Sequence, residues 1–122
     1  MPSQFISLFL ENPMLIAIDF DNTLYYSRRL NEKAIDVLLK LQKNHQLMLW
    51  TCRENESLKE AITILKKRGV VIYLPPSSPR KAIYDLLIDD RNLGTPCFWT
   101  CRGEKVVDWD EVEKILKKEG LI

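Results

Sequence analysis

The feature that most constrains the fold is a short apolar run, Leu15-Ile16-Ala17-Ile18, that ends in the polar segment Asp19-Phe20-Asp21-Asn22-Thr23. An apolar run without polar alternation predicts a strand buried on both faces, as in a parallel sheet. Carboxylates are rarely buried, so two of them directly after such a strand are expected at its carboxyl end. Open parallel sheets bind their ligands at that end.

The spacing of Asp19 and Asp21 suggests a shared role. Alternate residues of a strand face the same side, so these carboxylates are expected to converge on one point if the extended backbone continues past Phe20. Two close carboxylates repel, and a shared proton or a divalent cation relieves the repulsion. The pair could also act as nucleophile and general acid/base, because a carboxylate can form an acyl-phosphate. The alternative is a strand that ends in an Asx turn with both aspartates solvated.

Apolar periodicity along the chain predicts alternating strands and helices. Helices are predicted over Leu30 to Asn44 with Asn31 as cap, from Asn55 or Ser57 to Gly69, and over Asp110 to Glu119. Further strands are predicted at Leu47–Trp50, Val70–Leu74 and Asp85–Ile88, with edge strands at Cys97–Thr100 and Lys105–Val107. This order predicts an α/β fold of three layers, α/β/α, around a Rossmann-like parallel sheet joined by right-handed crossovers.

Length and composition limit the class of protein. The 122 residues suit a single domain, 1–122, in which residues 1–12 form an N-terminal arm or short helix. That apolar arm is too short to span a bilayer. The formal charge of +1 gives no electrostatic case for binding membranes or long nucleic acids. Three cysteines without zinc-type pairing indicate neither a disulfide framework nor a zinc site, so a reducing cytoplasm is expected.

Polar residues follow two later strands as well. Thr51 comes after Leu47–Trp50, and Lys81 precedes the run Leu86-Leu87-Ile88-Asp89-Asp90. With these residues in view, the sequence resembles the haloacid dehalogenase (HAD) superfamily of phosphohydrolases. That family is marked by Asp-x-Asp-x-Thr, a Ser or Thr that ends the next strand, a later Lys, and an acidic pair after another strand. All four elements are present in that order, and the resemblance spans roughly Met14 to Leu93.

The resemblance implies a reaction. Asp19 would be the nucleophile that forms an aspartyl-phosphate, and Asp21 would be the general acid and base. Lys81 would hold the nucleophile and the phosphate, although its neighbour Arg80 could compete for that role. An Asp at the second motif position is typical of phosphatases and phosphomutases in the family.

The resemblance also implies a magnesium site and a phosphate site. Mg²⁺ would be bound by Asp19, the backbone carbonyl of Asp21, and the pair Asp89 and Asp90, one of which commonly acts through water. Residues expected near the phosphate or substrate are Asn22, Thr51 and Arg53. Arg53 could instead pair with an acid. Asn22 stands where the family most often has Gly, and Asn tolerates the left-handed conformation of that turn.

The gaps between the motifs are too short for a cap domain, so the chain is similar to the small uncapped HAD phosphatases. An open site suits a phosphate on a small molecule or a macromolecule, with nucleic acid expected only as a substrate. It could also use a lid from a second subunit, and the N-terminal arm, Trp99 or Trp109 could form a homo-oligomer interface. In the segment of the small flap lie Tyr25, Tyr26, Arg28 and Arg29, which either contact substrate or form an ordinary exposed hairpin.

The leading interpretation is a Mg²⁺-dependent phosphohydrolase that cleaves phosphate monoesters. One alternative is a non-catalytic phosphate-binding or assembly protein on the same fold. A remote alternative is a receiver-like phosphoacceptor domain, but in receivers the acidic pair comes first and the phosphoacceptor Asp ends a later strand. Here Asp19 comes early and Asp89-Asp90 come late.

Overall fold

The computed structural model describes residues 13–75 and 84–122. Within them the strands are β1 (Leu15–Ile18), β2 (Tyr25–Tyr26), β3 (Arg29–Leu30), β4 (Gln46–Leu49), β5 (Ile72–Tyr73), β6 (Leu86–Ile88), β7 (Cys97–Trp99) and β8 (Lys105–Val107). The helices are α1 (Glu32–Leu41), α2 (Asn55–Lys67) and α3 (Trp109–Lys118).

A four-stranded parallel sheet forms the centre of the fold, in the order β5-β4-β1-β6. The strands β1, β4 and β5 succeed one another in one direction across the sheet, whereas β6 pairs with the other side of β1. The order therefore reverses next to β1, and the crevice outside the carboxyl ends of β1 and β6 is a topological switch point. The predicted α/β class and parallel sheet are confirmed.

Local signals explain where the helices begin and end. The Asn31 side chain caps α1 by accepting hydrogen bonds from the N–H groups of Lys33 (2.9 Å) and Ala34 (3.3 Å), as predicted. Helix α2 stops just before Gly69, whose φ of 80° suits glycine at a helix end. The Asp108 carboxylate caps α3 by accepting from the Glu111 N–H (3.2 Å).

The main cluster of buried apolar side chains lies between the sheet and the helices. Alternate strand residues face it, and each helix contributes an apolar stripe. Its members include Ile16, Ile18, Leu47, Leu49, Ile35, Leu38, Leu65, Trp109 and Leu116. Close packing of these side chains holds the strand ends in fixed positions, so groups that follow β1 and β6 are presented by a rigid frame.

The two segments predicted as edge strands do not join the parallel sheet. β7 and β8 pair only with each other among the described strands, in an antiparallel hairpin outside the parallel sheet. The tight turn between Thr100 and Glu104 favours this local pairing, since the Thr100 N–H donates to the Glu104 carbonyl at 2.7 Å. The Val107 N–H donates to the Asn22 carbonyl (3.0 Å), so the hairpin is tied to the loop after β1.

Some predictions lie outside the described residues. They concern the N-terminal arm 1–12, Lys81 and its possible competitor Arg80. Among the residues that are described, no helix is long and apolar enough to cross a membrane.

Candidate functional site

Three carboxylates meet at the switch point. Asp19 follows β1, and Asp89 and Asp90 follow the neighbouring β6. The Asp19 N–H donates to the Ile88 carbonyl (3.0 Å), which extends the pairing of the two strands to the site. One carboxylate oxygen of each of the three aspartates lies within 4.8 Å of the other two, and all three residues are half-buried. We call Asp19, Asp89 and Asp90 the acidic cluster.

Electrostatics in the acidic cluster disfavour three negative charges. Burial raises the pKa of Asp19 from 3.8 to about 8, with further contributions from the hydrogen-bonding Asp90 carboxyl and the negative charge of Asp89. Burial likewise raises the pKa of Asp89, and the contact with Asp90 adds to the shift. A proton or a divalent cation relieves such repulsion. Oxygen donors alone are the set that Mg²⁺ and Ca²⁺ prefer, so the cluster fits a hard divalent cation.

Thr23 connects the two loops that carry the acidic cluster. Its fully buried hydroxyl donates to Oδ2 of Asp19 (3.0 Å) and accepts from the Asp90 N–H (3.3 Å). The Nε1–H of Trp109 donates to the Thr23 carbonyl (2.7 Å). Trp109 is therefore buried and supports the site, which contradicts its predicted exposure at an interface, whereas Trp99 is 70% exposed as that prediction requires. Trp109 precedes Val112 and Leu116 by three and seven residues, so the apolar stripe of α3 could have indicated its burial but not its bond to Thr23.

Asp21 does not join the acidic cluster. The expected extended backbone ends at Phe20, whose carbonyl accepts from the N–H groups of Leu24 (2.8 Å) and Tyr25 (3.1 Å). This turn separates the two aspartates. The Asp21 side chain, 49% exposed, accepts from Nε (2.8 Å) and Nη2 (2.7 Å) of Arg53 instead. The extended backbone on which the predicted convergence of Asp19 and Asp21 depended is therefore absent, and the Asp21 carboxylate lies outside the acidic cluster.

Arg53 is held from several directions. Its guanidinium lies 4.6 Å from the ring centroid of Phe20 and 5.5 Å from that of Tyr25, and its Nη1 donates to the Ser57 carbonyl (3.2 Å). The hydrogen bonds to Asp21 raise the pKa of Arg53, so the side chain stays charged. The sequence left two roles open for Arg53, contact with substrate and pairing with an acid. The described contacts pair it with the acid Asp21.

Thr51 and Asn22 lie at the mouth of the site. The Thr51 hydroxyl oxygen accepts a hydrogen bond from the Arg53 backbone N–H (3.1 Å). Because this bond uses only a lone pair of the oxygen, the Thr51 O–H can still donate. Asn22 adopts the left-handed conformation (φ 63°) anticipated for it. Its N–H donates to the Tyr25 carbonyl (2.9 Å), which fixes the turn.

One cavity of about 350 Å³ brings most of the predicted site residues together, and we call it the acidic cavity. Six of the eight predicted residues line it: Asp19, Asp21, Asn22, Thr51, Asp89 and Asp90. Arg53 lies behind Asp21, and Lys81 is outside the described residues. The lining also includes Trp50, Cys52, Pro75 and Arg91. Sequence reasoning missed Arg91 as a lining residue, although its place directly after Asp90 could have indicated it.

A solved structure of a conserved protein from Bacteroides thetaiotaomicron is similar to this chain, with a TM-score of 0.64 and 33% sequence identity. The likeness covers 88% of this chain and 93% of that protein. No protein-family model matches the sequence, and no curated protein matches it. The similarity thus extends over sequence and fold together and over nearly the whole length of both chains.

Proposed function

We propose that this chain, which belongs to the same protein family as the conserved Bacteroides thetaiotaomicron protein, is a Mg²⁺-dependent phosphohydrolase that cleaves phosphate monoesters. It would act through an aspartyl-phosphate at Asp19, on a three-layer HAD-like fold without a cap insertion. The observation that carries the proposal is the acidic cavity at the switch point of the sheet. Its wall combines a candidate nucleophile, a candidate acid/base, a hydroxyl donor and an acidic pair.

The first chemical step uses Asp19 and Asp21. Asp19 would react in its ionised form, which a bound cation favours. One of its carboxylate oxygens attacks the phosphorus atom, so that a new P–O bond forms while the P–O bond to the leaving group breaks. Thr23 orients this carboxylate by donating to Oδ2. Asp21 takes up a proton from solvent as one of its oxygens leaves Arg53, gives that proton to the leaving oxygen, and an alcohol departs.

The second step releases phosphate. The Asp21 carboxylate takes a proton from water, whose oxygen attacks the phosphorus of the aspartyl-phosphate. The P–O bond to Asp19 breaks, and inorganic phosphate leaves with both aspartates restored. In each step one Asp21 oxygen exchanges its hydrogen bond to Arg53 for one to the leaving group or the water. The other oxygen keeps the carboxylate in position.

The remaining groups bind the phosphoryl oxygens and the cation. The Thr51 O–H would donate to a phosphoryl oxygen, and the resemblance gives Lys81 the role of a positive point charge beside the nucleophile. Asp19, Asp89 and Asp90 would hold Mg²⁺. When bound, Mg²⁺ neutralises negative charge on the phosphoryl oxygens and orients them for attack.

The test is release of phosphate from p-nitrophenyl phosphate with and without Mg²⁺, by the native protein and by Asp19→Asn. We expect turnover that requires Mg²⁺ and falls to background in the variant. Asp110→Asn is the matched control, because Asp110 is exposed in the first turn of α3 and outside the acidic cavity. Native activity in Asp19→Asn would contradict the proposal. No turnover by native protein that binds Mg²⁺ would favour the non-catalytic alternative.

A further inference from the structure

A second cavity, of about 400 Å³, adjoins the acidic cavity, and we call it the flap cavity. The two share Asp21 and Asn22 as a common wall. Its other walls come from two hairpins, the β2–β3 hairpin, which we call the flap, and the β7–β8 hairpin: Tyr25, Tyr26, Ser27, Arg28, Arg102 and Glu104. Its volume lies within the range of small-molecule sites.

With Arg53 counted as the partner of Asp21, the flap cavity has three arginines in or beside its lining against two carboxylates. Arg28 and Arg102 line it, and neither forms an ion pair with a carboxylate among the residues that the structure describes. The Asp21 carboxylate is matched by the guanidinium of Arg53. Two arginines therefore face one remaining carboxylate, that of Glu104.

Glu104 is committed to holding the flap. Its carboxylate accepts from the Ser27 hydroxyl (2.8 Å) and the Ser27 N–H (3.3 Å), contacts that lower the pKa of Glu104. The flap turn needs this support, because its two central residues, Ser27 (φ 52°) and Arg28 (φ 63°), are in the left-handed conformation that non-glycine residues rarely adopt. The hydrogen bonds between Ser27 and Glu104 hold the turn that carries Arg28 beside the cavity, and they use both carboxylate oxygens of Glu104.

The chemistry at Asp19 determines what enters the flap cavity. In an in-line displacement the leaving oxygen departs on the side of phosphorus opposite the nucleophile, and the general acid must reach that oxygen. Asp21 is that acid in the proposed function, and it forms the wall between the two cavities. The alcohol half of the substrate then extends past Asp21 into the flap cavity.

We propose that the flap cavity binds the alcohol half of a small phosphate monoester that carries a second anionic group, a carboxylate or a further phosphate, and that Arg28 and Arg102 recognise this group. The inference rests on the proposed function for the placement of the phosphoryl group. In this proposal the flap selects the substrate and is not merely an exposed hairpin.

The experiment compares ligands that differ only in the second charge. The first pair is 3-phosphoglycerate and glycerol 3-phosphate, which exchange a carboxylate for a hydroxymethyl group. The second pair is fructose 1,6-bisphosphate and fructose 1-phosphate, which test a further phosphate. Equilibrium binding is measured by calorimetry with Mg²⁺ on Asp19→Asn, in which no turnover is expected, and kcat/KM is measured on the native protein.

We expect the doubly anionic member of at least one pair to bind about tenfold more tightly at low ionic strength. The double variant Arg28→Gln/Arg102→Gln should remove that preference both in binding and in kcat/KM. Arg29→Gln is the matched control, because Arg29 is exposed on the same flap and does not line the cavity. The control should retain the full preference.

The two proposals fail in different ways. Equal binding within both pairs, a preference that survives in the double variant, or an equal loss in Arg29→Gln would overturn the subsite while Asp19-dependent turnover still stands. A preference that depends on Arg28 and Arg102, without any turnover by the native protein, would support the subsite and remove the hydrolytic function.

Discussion

The acidic cluster and the Arg53 contact lie on either side of Phe20, and each holds one of two aspartates from the same short segment. Asp19 is half-buried beside two further carboxylates, and burial raises its pKa to about 8. Asp21 is 49% exposed and has a guanidinium on both oxygens. One carboxylate is surrounded by negative charge, the other by positive charge.

This difference follows from the backbone. The turn that closes on the Phe20 carbonyl takes the chain out of the strand, so the second carboxylate pairs with Arg53 and does not join Asp89 and Asp90. In the proposed function, these two carboxylates have separate tasks. Different surroundings are how one site supports two roles for the same functional group. Asp19 lies among carboxylates whose repulsion a proton or a cation would relieve, whereas Asp21 is already paired with the guanidinium of Arg53.

Removing the partners of Asp19 should have the largest effect. Asp89→Asn/Asp90→Asn deletes two of the three carboxylates of the acidic cluster. Because a catalytic metal supplies several kcal/mol of transition-state stabilisation, we expect kcat/KM for p-nitrophenyl phosphate to fall by about 10³-fold. The increase in melting temperature on adding Mg²⁺ should also disappear. Asp110→Asn should keep both properties, and undiminished stabilisation of the double variant by Mg²⁺ would argue against the metal site.

Disturbing the partner of Asp21 should have a smaller and more selective effect. Arg53→Lys keeps the charge but loses the bidentate contact and the stacking on Phe20. An alkyl leaving group needs a proton from a positioned acid, whereas p-nitrophenolate leaves readily without one. We therefore expect kcat/KM for an alkyl phosphate such as glycerol 3-phosphate to fall about tenfold more than kcat/KM for p-nitrophenyl phosphate. Equal losses for both substrates would assign Arg53 to phosphate binding or to structure.

Neutralising Asp19 should stabilise the metal-free protein. The pKa of Asp19 is about 8 in the folded protein and ordinarily 3.8, so the unfolded chain releases a proton that the folded chain retains. The contribution of Asp19 to stability therefore falls as pH rises from 3.8 to about 8. Asp19→Asn lacks this penalty, and we expect it to be on the order of 1–2 kcal/mol more stable at pH 7.

Urea unfolding in the presence of a chelator measures this difference. The gap between Asp19→Asn and the native protein should widen from pH 4 to pH 7, since only the native protein has the titrating group. If Asp19→Asn were less stable than the native protein at pH 7, the Asp19 carboxylate would stabilise the folded protein, contrary to this prediction.

Glu113 provides the opposite pH dependence and the smallest effect. Its carboxylate bonds with Lys33 (2.8 Å) and Lys40 (3.0 Å), linking α1 to α3, and these contacts lower its pKa to about 2. Its stabilising contribution is present above the ordinary value of 4.5 and is lost as pH falls through about 2. Glu113→Gln should be slightly less stable than the native protein at pH 7, and thermal melts should converge near pH 2. A constant difference across this range would mean that the charge of Glu113 does not contribute.

The parts of the site that could be predicted from the sequence are those set by strand periodicity and sheet topology. Asp19, Asp89 and Asp90 follow apolar runs, and parallel strands bring their carboxyl ends to one edge. The Asn31 cap and the left-handed Asn22 are local signals of the same kind. Each depends on neighbours within a few residues.

The contacts whose partners could not be predicted join residues far apart in the chain. Arg53 meets Asp21 across 32 positions, Glu104 meets Ser27 across 77, and Trp109 meets Thr23 across 86. Each depends on how a turn or hairpin packs, which the residue types alone leave undetermined. The hairpin of β7 and β8 was predicted as a pair of strands, but its position beside the flap follows from tertiary contacts.

Trapping the covalent intermediate tests the central claim most directly. The native protein is mixed with p-nitrophenyl phosphate and Mg²⁺, quenched in acid within the first turnover, and reduced with borohydride, which converts an aspartyl-phosphate to homoserine. Peptide mass spectrometry then locates the modified residue. The account predicts homoserine at position 19 and unmodified aspartate at position 21. Modification at another residue, or turnover without any modified aspartate, would contradict it.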